Sequence, residues 1–168
     1  MRNLLTIGAT LVATLALVGC PNQGNYVPRS SGSLGLTSDD ATLFVADTDH
    51  NRVTVIATAT MEIIGHIPVG SAPERILVGP DDTVWVTNRG GRTVMRIPAG
   101  SMEVAATGLV GGEPVGMSLN EDGNLLVACP NFNTNKEGNE QPVWIMKITP
   151  EDKLEKYFQL PVHPETGK

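Results

Sequence analysis

A period of 41 residues runs through this chain and limits its fold more than any other feature. Leu43-Phe44-Val45-Ala46-Asp47 returns as Val84-Trp85-Val86-Thr87-Asn88 and again as Leu125-Leu126-Val127-Ala128-Cys129, each step being 41 residues. Val53 and Ile56 return as Val94 and Ile97, Met61-Glu62-Ile63 as Met102-Glu103-Val104, and Gly70 and Pro73 as Gly111 and Pro114. In the third copy the register resumes after about ten extra residues, with Ile145 and Ile148 in the places of Val94 and Ile97. The insertion lies within Pro130 to Pro142, a stretch rich in Asn, Glu and Gly that reads as a loop. A repeat of this length is one supersecondary unit that buries its apolar surface only by stacking on its copies.

Each period divides into four short apolar runs separated by turn residues. In the middle copy the runs are Arg75–Val78, Thr83–Thr87, Thr93–Ile97 and Glu103–Thr107, with Gly79-Pro80-Asp81-Asp82 and Asn88-Arg89-Gly90-Gly91 as turns. No segment of useful length has helical spacing. Leu43-Phe44-Val45-Ala46 and Leu125-Leu126-Val127-Ala128 do not alternate apolar with polar, so such strands need cover on both faces. Four strands per 40-odd residues with both faces covered predicts an all-β protein of β-propeller blades. Three four-stranded antiparallel blades are expected, near 32–72, 73–113 and 114–168.

Trp85-Val86-Thr87-Asn88 followed by Thr93-Val94, and Ile67-Pro68-Val69-Gly70 followed by Pro73, resemble the YVTN family of propeller repeats found in cell-surface and envelope proteins. The resemblance covers about 33 to 129 and is weaker beyond. Phe44 and Trp85 replace the Tyr of that motif, Asp47 replaces the Asn, and Cys129 ends the third copy.

The N-terminus carries a different signal. Met1-Arg2-Asn3 is a short positive start, Leu4 to Leu17 is uncharged, and Val18-Gly19-Cys20 follows. The apolar stretch matches a signal-peptide core and is shorter than a membrane-spanning helix needs. Leu17-Val18-Gly19-Cys20 resembles the lipobox of bacterial lipoproteins, which implies a signal peptide over 1–19, cleavage before Cys20 and acylation of that residue. Pro21 stands where an Asp would mark inner-membrane retention, so outer-membrane delivery is permitted. Pro21 to Ser33, with its Ser30-Ser31-Gly32-Ser33 run, reads as a flexible tether, because its few apolar groups cannot offset the cost of ordering it.

Composition supports this placement. Removing 1–19 takes one cation from the 12 Lys and Arg against 18 Asp and Glu, for a net charge of −7. An acidic domain gains nothing from anionic lipid, so the expected membrane partner is reached through Cys20 alone. The few cations form no basic run, which argues against nucleic acid as a partner. With Cys20 acylated, Cys129 has no thiol to pair with.

Propellers close with about 4 to 8 blades, and three leave an apolar face uncovered at each end. Uncovered faces point first to further blades of a longer propeller. A homodimer forming one six-bladed ring is the second solution, and an open stack the third.

Binding residues are expected on the loops around the channel, where strand four hands over to the next blade and where strands two and three connect. The first class holds Glu74, Arg75, Glu113 and His163. The second holds the Asp47-Thr48-Asp49-His50-Asn51-Arg52 run, Asn88-Arg89 and the third-blade insertion. Asp47-x-Asp49-x-Asn51 opens like a calcium loop but lacks the Gly at position six and the closing Glu, so it reads as a solvated turn. His50, His66 and His163 share no ligand spacing, and no metal site is expected; His66 lies in an apolar strand and reads as structural. The pairs Asp39-Asp40, Asp81-Asp82 and Glu121-Asp122 recur at one turn of each repeat and read as turn formers rather than acid–base groups. No Walker loop, Gly-x-Ser-x-Gly elbow or haem-attachment motif occurs, so no catalytic residue or cofactor is assigned.

These features favour a non-enzymatic, lipid-anchored protein of the bacterial cell envelope, at the outer membrane or cell surface or on the periplasmic side. Its blades would bind or scaffold an unidentified protein or small molecule. The alternative is a propeller enzyme of the lactonase or streptogramin-lyase type. It would use Glu74, Glu113 and His163 as channel metal or acid–base groups, a reading by analogy of fold.

Overall fold

The structure is a computed structural model, and it describes residues 32–130 and 143–160. Twelve strands among them form three four-stranded antiparallel sheets. The first sheet holds β1 (Leu34–Leu36), β2 (Thr42–Asp47), β3 (Arg52–Ala57) and β4 (Glu62–Pro68). The second holds β5 (Pro73–Val78), β6 (Val84–Asn88), β7 (Thr93–Ile97) and β8 (Ala106–Leu109). The third holds β9 (Gly116–Leu119), β10 (Leu125–Cys129), β11 (Trp144–Ile148) and β12 (Leu154–Gln159). Every sheet is a meander in sequence order, the arrangement of a propeller blade. The repeated apolar segments are the second strands, β2, β6 and β10. The leader, the tether up to Ser31 and the insertion over 131–142 lie outside the described residues; the last two residues of the expected tether are not flexible, since Gly32 bridges to Ile76 of β5 and the Ser33 carbonyl accepts the Ala46 N–H at 2.9 Å.

One strand departs from expectation. The fourth run of the middle copy, Glu103–Thr107, becomes a strand only over Ala106–Leu109. The Ser101 hydroxyl accepts the Glu103 N–H at 3.0 Å and donates to the Glu103 carbonyl at 3.2 Å, which holds that residue in the preceding turn. Gly100 takes a left-handed φ of 67° in the same turn, a conformation that favours glycine.

The acidic pairs of the first two sheets act as turn formers, and the Glu121-Asp122 pair of the third does not. Asp39 Oδ1 accepts the Thr37 hydroxyl at 2.7 Å and the Ala41 N–H at 3.0 Å, and these bonds hold its carboxyl below the usual carboxylate range. Asp81 accepts the Thr83 N–H and hydroxyl at 3.1 and 2.8 Å. Asn120 plays this part in the third sheet, accepting the Asp122 and Asn124 N–H groups at 3.1 and 2.9 Å. Asp82 adds a link between sheets, accepting the Ser38 N–H at 2.7 Å and the Ser38 hydroxyl at 3.0 Å.

The sheets stack face to face around their first strands: β5 touches β1 and β2 on one side and β9 on the other. Each sheet has an upstream face, toward its predecessor, and a downstream face, toward its successor. Downstream Phe44, Val53, Val55 and Ile67 of the first sheet pack on upstream Ile76, Val78, Val84, Val86 and Ile97 of the second. Downstream Leu77, Trp85 and Val94 of the second pack on upstream Met117, Leu125, Val127, Met146 and Ile148 of the third. Gly35 enables the first contact, since a Cβ there would lie 2.6 Å from Ile76 Cγ2 and 2.7 Å from Val78 Cγ2.

Among the described residues two faces remain uncovered. On the upstream face of the first sheet Leu34 and Leu36 are 55% and 37% exposed. The downstream face of the third sheet carries a hollow of about 440 Å³ lined by Gly116, Ser118, Leu126, Ala128, Ile145 and Phe158.

Candidate functional site

The turns between second and third strands and the connections between sheets meet at one end of the stack. They are laced together by backbone bonds: Val69 N–H to Asn51 O at 3.0 Å, Arg89 N–H to Ala72 O at 2.9 Å, Gly91 N–H to Ser71 O at 3.0 Å, and Val110 N–H to Arg92 O at 3.0 Å. Side chains strengthen the lacing. Asn51, left-handed at φ 53°, accepts the Ala72 N–H at 2.9 Å, and the Thr48 hydroxyl donates to the Pro73 carbonyl at 2.7 Å. The two loop classes expected to carry binding residues therefore form one surface on a rigid base.

Four of the candidate residues gather there. Arg89, on the β6–β7 turn, donates through Nε and Nη2 to Glu113 Oε2 at 3.0 and 2.8 Å. Its Nη1 lies 3.8 Å from Glu74 Oε2, and Glu74 Oε1 lies 3.7 Å from Arg75 Nε. The row Arg75–Glu74–Arg89–Glu113 thus joins the start of β5, where Glu74 and Arg75 stand instead of on the preceding connection, to the connection between the second and third sheets through one turn, with balanced charge. The Glu113 contact, followed by the charge of Glu74, holds the Arg89 guanidinium above its ordinary range. Arg89 is 52% and Glu113 42% exposed, so these pairs add little to stability and instead fix where the charges stand.

Asp47 and His50 form a second group with Arg52. Asp47 Oδ1 accepts from His50 Nδ1 at 2.8 Å, which places the proton on that nitrogen because a carboxylate only accepts. Asp47 Oδ2 accepts from Arg52 Nε at 2.7 Å. The two partners, His50 first, hold the Asp47 carboxyl below the usual carboxylate range. The run from Asp47 to Asn51 is thus a hydrogen-bonded turn with a 3-10 segment at Thr48–His50. No ion pair joins this group to the Glu74 row among the described residues. Cys20 and His163 lie outside the described residues.

Among the described residues no three His, Cys, Asp or Glu side chains are grouped to hold a metal ion. Cys129 is fully buried at the end of β10, and burial pushes its thiol up to about 12. It therefore stays a neutral thiol at ordinary pH, with little nucleophilic character. His66 on β4 is exposed, and its Nδ1 lies 3.2 Å from the Thr54 hydroxyl.

Sequence reasoning missed an ion pair at the opposite end. Arg96 of β7 donates through Nε and Nη2 to the two oxygens of Asp152 at 2.8 and 2.6 Å, tying the second sheet to the third. The pair borders a cleft of about 320 Å³ lined by Pro80, Trp85, Leu119 and Pro150. The repeat gave no sign of it, because the positions equivalent to Arg96 hold Val55 and Lys147.

No protein-family model and no characterised protein matches the sequence, so the resemblance to YVTN repeats rests on its motif residues. The fold does match solved structures. Hydrazine synthase of Kuenenia stuttgartiensis superimposes with a TM-score of 0.63 at 23% identity, covering 80% of this chain and 38% of that one. A streptogramin B lyase gives 0.59 at 14% identity, over 82% of this chain and 43% of the other. A luciferin-regenerating enzyme gives 0.52 at 13%, over 79% and 48%. The chain spans less than half of each of these, and at such identities the likeness concerns fold alone. These neighbours are β-propellers, and the three meander sheets of this chain are propeller blades.

Proposed function

We propose that this chain is a lipid-anchored cell-envelope protein of the YVTN-repeat type whose blades serve as a binding or scaffolding module. One observation carries the binding half of this reading. At the laced loop end, Glu74 and Glu113 are engaged by Arg89. Each is therefore a charged group whose place at the surface Arg89 fixes, as recognition of a partner requires. Function resides in such sites and not in the fold, which hosts enzymes and binding proteins alike. The anchoring half rests on Leu17-Val18-Gly19-Cys20.

Cell fractionation of the wild type and Cys20→Ser tests the anchor. The wild type should sediment with membranes, and the variant should lose most of that association, because several acyl chains on one Cys are the only strong membrane-binding feature in the sequence. Membrane association unchanged by the substitution overturns the anchor. A photo-activatable side chain at position 89 tests the binding half. It should capture an envelope partner that the same group at position 121, at the other end of the stack, does not. Equal capture from both ends overturns a loop-end site.

A further inference from the structure

The two uncovered faces are not alike, and the repeat specifies what fits each. Strand pairing aligns the upstream faces residue by residue. In the first sheet Leu36 pairs with Leu43, Leu34 with Val45, and Leu43 with Ile56. In the second Val78 pairs with Val84, Ile76 with Val86, and Val84 with Ile97. In the third Leu119 pairs with Leu125, Met117 with Val127, and Leu125 with Ile148. All of these positions are large and apolar in all three sheets. In the second and third sheets they pack against the preceding blade, whereas in the first no blade covers them among the described residues: Leu34 and Leu36 are exposed, and Leu43, Val45 and Ile56 half-buried.

The uncovered downstream face is the matching socket. Opposite Phe44 the first sheet carries Gly35, whose missing Cβ lets Ile76 and Val78 approach. Opposite Leu126, the repeat equivalent of Phe44, the third sheet carries Ser118, and beside it Gly116 pairs with Ala128. These small residues open the hollow of about 440 Å³, and a Cβ on Gly116 would meet nothing within 4 Å. One end of the stack thus presents the knobs and the other a socket opened by small residues as at the first internal interface, whereas the second interface has Leu77 in that place.

We propose that two copies of this chain close head to tail into one six-bladed ring. The upstream face of the first sheet of each copy docks on the downstream face of the third sheet of the other. A heterologous contact of this kind either closes or propagates, and six blades fall within the range at which propellers close. Closure would place two sets of the Glu74–Arg89–Glu113 row around one channel. The ring does not depend on what that loop end binds.

The existing interface supplies the test. A Cβ on Gly35 would lie 3.7 Å from Ile76 Cβ, close to the separation of about 3.8 Å that a disulfide bridges. The corresponding pair across the proposed interface is Ser118 and Leu34. In the full chain carrying Cys20→Ser, the double variant Leu34→Cys with Ser118→Cys should cross-link under mild oxidation into a covalent dimer. Each single variant should stay uncross-linked. Light scattering should give twice the chain mass without cross-linking, and Leu126→Glu should return it to one chain with its β circular dichroism intact. Three outcomes overturn the ring. Cross-linking by either single variant means that like faces meet, and a ladder beyond two copies means that the contact propagates. A monomer with no cross-link assigns the two faces to other blades.

Discussion

In the middle blade every residue of β6 is buried, whereas β2 and β10, at the same place in the repeat, are covered on one face only. The middle segment, which ends on Thr87-Asn88, is the least apolar of the three, so strand character alone does not decide their burial. Position in the stack does. Val84-Trp85-Val86-Thr87-Asn88 has a blade on either side, and each flanking strand has one. The flanking blades therefore keep a face built for a neighbour, an apolar patch of the kind that marks an interface.

That contrast can be broken most sharply at one position of the repeat. Trp85→Ala removes an indole packed between the second and third blades and should cost about 3–5 kcal/mol in urea denaturation. Leu126→Ala, its equivalent on the uncovered face, should cost less than about 1 kcal/mol at high dilution. A Leu126 cost approaching that of Trp85 would mean that the third blade is covered after all. A cost that grows with protein concentration would name a second copy as the cover.

Glycine gives the next contrast. Gly35→Val forces side-chain atoms into Ile76 and Val78 and should destabilise the first interface by about 1–3 kcal/mol. At a dilution that separates the copies, Gly116→Val enters open space and should change the melting temperature little, its effect staying within about 0.5 kcal/mol. Equal losses at the two sites would show that the hollow beside Gly116 is filled.

The smallest effect concerns the last residue of the repeated strand, Asn88 in the middle blade and Cys129 in the third. Burial raises the Cys129 thiol from 9.0 to about 12, so between those values the unfolded chain loses this proton and the folded chain keeps it. The neutral thiol carries no penalty below pH 9.0, and stability falls as pH rises from there toward 12. Cys129→Ala should flatten that alkaline slope, by about 1 kcal/mol near pH 10, in paired denaturation curves. Parallel slopes for the two proteins would mean that the thiol reaches solvent.

Much of this architecture was legible because it repeats. The second strands follow from Leu43, Val84 and Leu125, the first two of the acidic turns from Asp39 and Asp81, and the meeting of Arg89 with Glu113 at one end from their places between strands; Glu74, expected on a connection, opens β5 instead. What escaped was what does not repeat. Ser101 holds Glu103 out of β8 through its hydroxyl, a contact that no periodicity encodes. Arg96 finds Asp152 across 56 residues from a position that is Val55 in one copy and Lys147 in another. The Asp47–Arg52 pair needs the turn closed before the two side chains meet. Side-chain partners depend on which strands face one another, and spacing along the chain does not contain that.

The inter-sheet contacts run from β5 to β1 and β2 and from β5 to β9, so the middle blade is the hub on which the others rest. An array held by neighbour contacts melts as a set of linked units, each stabilised by its own folding and by the interfaces it shares. Within a single copy the middle unit shares two interfaces and each end unit one. Opening of either end therefore costs a single interface and leaves the other blades standing, whereas opening the middle forfeits both. Backbone amides of β6 would exchange with solvent only in the rarest, most complete openings, and those of β1 and β12 in frequent partial ones.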